Sequence, residues 1–197
     1  LVAGGALYKL PWSWSVAGCG TAALAWGAYI TVDTPQYTGE GRHDPHFSKT
    51  NKMFQQLRAY LRMTLHRTEE VQQQLVKKSA TGVGQAIFAA FPHGVNGDFR
   101  MLMDGMMLEA FPSVAPARAL AASVLFQIPG ARSFALKTGC VDAGRATAKK
   151  VLSKKLSLVV LPGGLDEQVL CEHGKERVVV QKRHGFVRLA MEHGVPL

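Results

Sequence analysis

Between Trp12 and Val32 the chain runs for 21 residues without a charged side chain, WSWSVAGCGTAALAWGAYITV. That length suffices for a helix to span the hydrocarbon core of a bilayer. Trp12 and Trp14 stand at one end, with Trp26 and Tyr29 toward the other, the pattern of interfacial aromatic belts. Gly18, Gly20 and Gly27 dilute the hydrophobicity, so a buried or re-entrant segment is the competing reading. Leu1–Tyr8 is also apolar and reads as the end of a first leg, with Lys9–Pro11 as the turn of a hairpin. Basic residues gather on the C-terminal side (Arg42, Lys49, Lys52, Arg58, Arg62), which orients that side to the cytosol. Residues 1–32 are therefore expected to form a membrane anchor.

Residues 33–82 read as a linker and amphipathic helical region. Met53, Phe54, Leu57, Leu61 and Leu65 recur at helical spacing and predict a helix over Thr50–Arg67, with Lys49, Lys52, Arg58, Arg62 and Arg67 on its polar face. Such a helix either lies on an anionic membrane surface or packs on the domain with its charges solvated. Glu69–Lys78 continues helical to near Gly82. Residues 83–197 alternate strand-like and helical runs. Ala86–Phe91, Leu156–Leu161 and Arg177–Gln181 read as strands; Arg118–Phe126, Arg145–Lys155 and Phe186–His193 read as helices. The alternation predicts an α/β domain, a mainly parallel sheet flanked by helices, preceded by the membrane-embedded helix or hairpin. Ligands of such sheets collect at the strands' C-terminal ends.

Two Gly-rich turns follow predicted strands. In FPHGVNGD (Phe91–Asp98), His93 stands ahead of Asp98 in a His-x4-Asp spacing. A neutral imidazole takes a proton from an alcohol, and a carboxylate on its other nitrogen fixes the tautomer. Gly94 and Gly97 allow a sharp turn and leave room beside the His. The pair alone is a common coincidence, and its weight comes from its neighbours.

Those neighbours resemble the type-2 diacylglycerol acyltransferase family, within the wider glycerolipid acyltransferases, from about Asp33 to Leu197. DTPQYTGEGR (Asp33–Arg42) resembles the family's segment after its membrane anchor. Pro92, His93 and Gly94 match the last three positions of its His-Pro-His-Gly motif. GCVDAGRATAKKVL (Gly139–Leu152) resembles the second block, with Arg145 as its Arg. LVVLPGGLDE (Leu158–Glu167) resembles the third, with Gly163, Gly164 and Glu167 in the Gly-Gly-x-x-Glu pattern. KRHGFVRLAMEHGVPL (Lys182–Leu197) resembles the run into the fourth block. Phe91 stands where many animal members carry the motif's first His, which leaves the proton work to His93. Asp98 restores the spacing of the wider acyltransferases, and Pro-Gly-Gly in place of Pro-Glu-Gly favours a neutral acceptor.

The resemblance implies a membrane-bound O-acyltransferase that moves a fatty acyl group from acyl-coenzyme A to the hydroxyl of diacylglycerol, forming triacylglycerol. His93 and Asp98 would be catalytic. Pro92, Gly94, Arg145, Gly163, Gly164 and Glu167 would bind substrate. The alternatives are another acceptor (monoacylglycerol, fatty alcohol or lysophospholipid) and a non-catalytic lipid-binding relative. The expected partners are acyl-coenzyme A as co-substrate, a neutral lipid acceptor and the bilayer, with a homo-oligomer left open. The expected location is the endoplasmic reticulum membrane, with the catalytic domain facing the cytosol, extending to the lipid droplet. No further cofactor is implied.

Composition is compatible with this. The hydrophobic fraction is 47% and the formal net charge +9, a balance that suits an anionic membrane face or coenzyme A. Nucleic acid is disfavoured, since the basic residues are dispersed and no zinc-finger or RNA-recognition pattern occurs. Cys19, Cys140 and Cys171 are far apart without a C-x-x-C, so neither a disulfide framework nor a zinc site is indicated, and no metal site is expected. Met101, Met103, Met106 and Met107 read as core, with an acyl channel as the alternative. His43 and His46 read as surface residues. The start at Leu1 and the stop at Leu197 read as those of a fragment.

Overall fold

The computed structural model describes residues 12–66, 68–70, 73, 84–92, 99–112, 114–175, 177–181 and 183–197. Two compact units divide after Thr34.

The first unit holds helix α1, Trp12–Val32. Its apolar residues are spread around the axis rather than gathered on one face, the distribution of a helix in apolar surroundings. Leu24 and Val32 are 78% and 86% exposed. The hydroxyls of Thr21 and Thr31 donate back to the Ala17 and Ala28 carbonyls at 2.9 and 2.8 Å, so neither needs water. Among the described residues this is the one helix long and apolar enough to cross a membrane.

The second unit is built on a four-stranded parallel sheet in the order β1-β4-β2-β3, where β1 is Ile87–Ala89, β2 Ala117–Ala121, β3 Cys140–Asp142 and β4 Ser157–Val160. Residue pairs Phe88–Val159, Val159–Ala119 and Ala119–Cys140 fix the register across it. Helices α2 (Pro45–Thr50), α3 (Lys52–Tyr60), α4 (Phe99–Ala110), α5 (Ala131–Lys137), α6 (Arg145–Ser153), α7 (Gly164–Leu170) and α8 (Gly185–His193) surround it.

Strand alternation sends Ile87, Leu158 and Val160 to one face. There they form a buried core with Val141, with Ala148, Val151 and Leu152 of α6, and with Leu189 and Ala190 of α8. On the other face Cys140 packs with Phe126, Ala135 and Leu136. Residues 35–42 dock on this unit too. Arg132, buried to 1% exposure, donates to Gln36 Oε1 at 3.0 Å, and Lys150 Nζ donates to the Tyr37 carbonyl at 3.0 Å.

The fold class read from the sequence holds, with the expected strands at β1 and β4 and helices at α6 and α8. Three elements differ. Arg118–Phe126, expected to be a helix, is mostly strand β2 followed by a 3-10 turn at Ser123–Phe126. Its Ala/Leu-rich run favours a helix locally, but two parallel neighbours claim its backbone and outweigh that weak preference. Residues 177–180 form no strand. The helix expected over Thr50–Arg67 is shorter: α3 begins at Lys52, where Asn51 ends α2 with extended backbone and caps α3, its side chain accepting from the Phe54 N–H at 3.3 Å, and it ends at Tyr60, leaving residues 61–66 outside any helix. The helix expected over Glu69–Lys78 lies largely outside the described residues.

Candidate functional site at the sheet's C-terminal edge

Because the strands are parallel, the turns leaving all four emerge at one edge. β1 ends at Ala89, and the Ala90 N–H still donates to the Val160 carbonyl at 3.0 Å, holding the exposed Phe91-Pro92 beside the end of β4. His93, Gly94 and Asp98 follow immediately and lie outside the described residues.

β4 ends at Val160 and turns through Pro162, Gly163 and Gly164 into α7. Glu167 folds back under this turn, only 2% exposed, and its Oε2 accepts the Val179 N–H at 3.3 Å. A β-carbon on Gly163 would overlap that carboxylate, lying 2.5 Å from Glu167 Cβ. Gly164 has φ +52, a left-handed conformation that side chains disfavour. The Gly-Gly-x-x-Glu pattern is thus one local unit: the first Gly makes space for the Glu and the second makes the turn.

β3 ends at Asp142, which is 6% exposed and braces two turns. Its Oδ1 accepts the Gly144 N–H at 2.8 Å, and its Oδ2 accepts from Ser123 Oγ after β2. Arg145 opens α6 with its side chain 57% exposed, donating to Glu192 Oε1 at 3.1 Å, while Lys149 reaches Glu192 Oε2 at 2.8 Å. The Lys149 hydrogen bond holds the Glu192 carboxyl below its ordinary value; desolvation opposes it, and the charges of Lys149 and Arg145 add to the lowering. β1 and β3 are the outer strands of the described sheet, so three interstrand steps, about 14 Å, separate the Arg145 turn from the Pro92 turn. The turns leaving β1 and β4 thus start from adjacent strands, and the Arg145 turn is apart from both.

Along β1 and the neighbouring Val159 of β4 lies a cavity of about 350 Å³. It extends from Ala90 along Phe88, Val159 and Ala119 to Pro116 and Leu197, and is roofed by Met107 and Phe111. Met107, one of the four methionines, lines this cavity. Among the described residues its wall is apolar except for Asp104.

Asp104 centres a cluster that sequence reasoning missed. His43, expected at the surface, has its side chain only 2% exposed, with Nε2 3.0 Å from Asp104 Oδ2. Ser48 Oγ donates to the same oxygen, and Arg118 Nη1 lies 3.2 Å from His43 Nδ1. Guanidinium only donates, so Nδ1 accepts and the ring proton sits on Nε2, facing Asp104. Burial lowers the Arg118 pKa, opposed first by Asp104 and then by Glu40. These partners lie 61, 56 and 75 positions apart in sequence, and no local pattern announces them.

The chain matches the family described as diacylglycerol acyltransferase over residues 10–197, and it belongs to that family. It is similar to diacylglycerol O-acyltransferase 1 of Eremothecium gossypii, 34% identical over 111 residues, 55% of this chain and 24% of that protein. It is similar to human acyl-CoA wax alcohol acyltransferase 2, 33% identical over 110 residues, 54% of this chain and 32% of that protein. Human 2-acylglycerol O-acyltransferase 3 is 28% identical over 182 residues, 88% of this chain and 49% of that protein. The chain thus spans half or less of the length of these curated relatives. No solved structure matches it.

Proposed function

We propose that this chain carries acyl-transfer machinery of a membrane-bound O-acyltransferase, moving a fatty acyl group from acyl-coenzyme A to the hydroxyl of diacylglycerol to form triacylglycerol. The observation that carries the reading is the common edge. In sequence the His-bearing segment follows β1, the Gly-Gly turn follows the adjacent β4, and an apolar cavity runs along these strands from Ala90 past Phe88 and Val159. Family membership supplies the reaction class.

In this reading His93 takes the proton of the acceptor hydroxyl as that oxygen bonds to the thioester carbonyl carbon. The C–S bond then breaks, and the leaving thiolate receives the proton. Asp98 orients His93 and stabilises its imidazolium. One base on a positioned alcohol suffices, with no acyl-enzyme. Backbone N–H groups of the Gly94 or Gly163–Gly164 turns stabilise the tetrahedral oxyanion. Pro92 and Glu167 hold the two turns in shape, and the cavity takes an alkyl chain. Arg145, apart from this centre and exposed, binds the phosphates of coenzyme A. Residues 1–32 anchor the enzyme, residues 33–82 link, and residues 83–197 form the acyltransferase core. The enzyme resides in the endoplasmic reticulum membrane with this core facing the cytosol, and reaches lipid droplets.

Wax-alcohol and monoacylglycerol acyltransferases among the relatives make the acceptor the point to test. Labelled acyl-coenzyme A is offered with diacylglycerol, monoacylglycerol and fatty alcohol in parallel. Triacylglycerol as the dominant product supports the proposal; a dominant wax ester or diacylglycerol overturns the acceptor, and no product from any acceptor overturns the enzyme reading.

A further inference from the structure

Helix α3 docks on its unit through Phe54, 2% exposed, whose ring meets Phe47 and Phe134 edge-on at 5.9 and 5.6 Å between centroids. Arg58, on the same side, reaches toward Glu109 and Asp104. The flank beside this docked side is apolar and open. Met53, Leu57, Tyr60 and Leu61 are 56%, 38%, 82% and 54% exposed. They fall at i, i+4, i+7 and i+8, one stripe of a helix. A helix that needed only to pack on the domain would not carry a second apolar stripe. Lys49, Lys52 and Arg62 flank it and are exposed. Apolar stripe and cationic flanks together are the composition of a helix lying in the headgroup region of an anionic bilayer. In sequence, α3 follows shortly after α1, the one described helix able to cross a membrane.

We propose that the Met53–Leu61 stripe of α3 is a membrane-contact surface that lies in the interface of a bilayer carrying anionic lipid, separate from any spanning segment. It holds the second unit against the bilayer by insertion of four side chains and by attraction of Lys49, Lys52 and Arg62 to lipid phosphates.

The test uses the full chain in vesicles, with Cys19, Cys140 and Cys171 changed to Ser. A single environment-sensitive fluorophore is attached at Tyr60→Cys, at Met53→Cys or, on the polar side, at Ala59→Cys. All three positions are exposed, and circular dichroism checks the fold. Vesicles of phosphatidylcholine are compared with vesicles that also contain phosphatidylserine, each with lipids carrying a shallow nitroxide quencher. The proposal expects blue-shifted, severalfold more strongly quenched probes at positions 53 and 60 than at 59, and stronger quenching with phosphatidylserine. Equal quenching at 59 and 60 overturns it. A blue shift without lipid quenching also overturns it, since protein would then cover the stripe. The readout is independent of catalysis, so it stands or falls apart from the proposed reaction.

Discussion

Gly163 and Glu167 occupy one another's space: the Glu167 side chain fills the position where a Gly163 β-carbon would be. The spacing of the third motif is therefore a packing requirement before it is a chemical one. Gly163→Ala forces the buried carboxylate out of its site and should cost about 1–3 kcal/mol, as overpacking does. Gly164→Ala places a side chain at φ +52 with open space around it and should cost about 1–2 kcal/mol through backbone strain alone. Adding Glu167→Gly, which removes both the carboxylate and the Cβ that a Gly163 β-carbon would meet, should recover part of the Gly163→Ala loss and none of the Gly164→Ala loss. Thermal unfolding of the four variants in detergent checks this; equal rescue of both would refute the coupling.

His43 acts as a neutral strut. It accepts from Arg118 at Nδ1 and donates to Asp104 at Nε2. Gln in its place can accept through its carbonyl and donate through its amide, whereas Phe can do neither. His43→Gln should keep stability within about 1 kcal/mol, and His43→Phe should lose about 1–3 kcal/mol, because it removes one partner each from a half-buried carboxylate and a half-buried guanidinium. Denaturant unfolding separates the two. Acyl transfer that survives His43→Gln also excludes His43 as the base.

Much of this was legible in the sequence where local signals agreed with the final packing. LSLVVL reads as a buried strand and is β4; Arg145 opens a helix as its Gly-preceded position suggests. Ala117–Ala121 misled because its residues are good helix formers and only the neighbours β4 and β3 make it a strand. β3 escaped notice because Cys140–Asp142 is three residues long, too short for alternation to register. The Asp104 cluster joins residues far apart in the chain, and its histidine looked like any loop histidine until the sheet brought Arg118 beside it. The motif residues were found by resemblance; the chemistry of Asp142 as a brace for two turns needed the fold.

Arg145 and Lys149 share Glu192 on the surface. If Arg145 serves coenzyme A phosphates, Arg145→Ala should raise the KM for acyl-coenzyme A severalfold with little change in kcat, and the effect should shrink as salt screens it. Because the folded Glu192 carboxyl lies below its unfolded value, its ion pairs are present above the unfolded carboxylate range and are lost as pH falls through the folded value. The Glu192 side-chain resonance should therefore titrate below a model glutamate, and Lys149→Ala should move it back up.

Met107 lines the cavity wall beside Phe88 and Val159. Met107→Trp should fill part of the about 350 Å³ and shift preference toward shorter acyl or acceptor chains, while short-chain kcat stays within a few fold. Competition between labelled long- and short-chain acyl-coenzyme A reads this directly; an unchanged ratio would separate the cavity from chain binding.

The proposed reaction rests on His93 as the base. Full-length protein and its His93→Ala variant, matched in expression and membrane insertion, would be compared in membranes of cells unable to make triacylglycerol, with labelled acyl-coenzyme A and diacylglycerol. Labelled triacylglycerol is expected from the parent, with a loss of about a hundredfold to ten-thousandfold in the variant. A His93→Ala protein that makes triacylglycerol at the parent rate would contradict it.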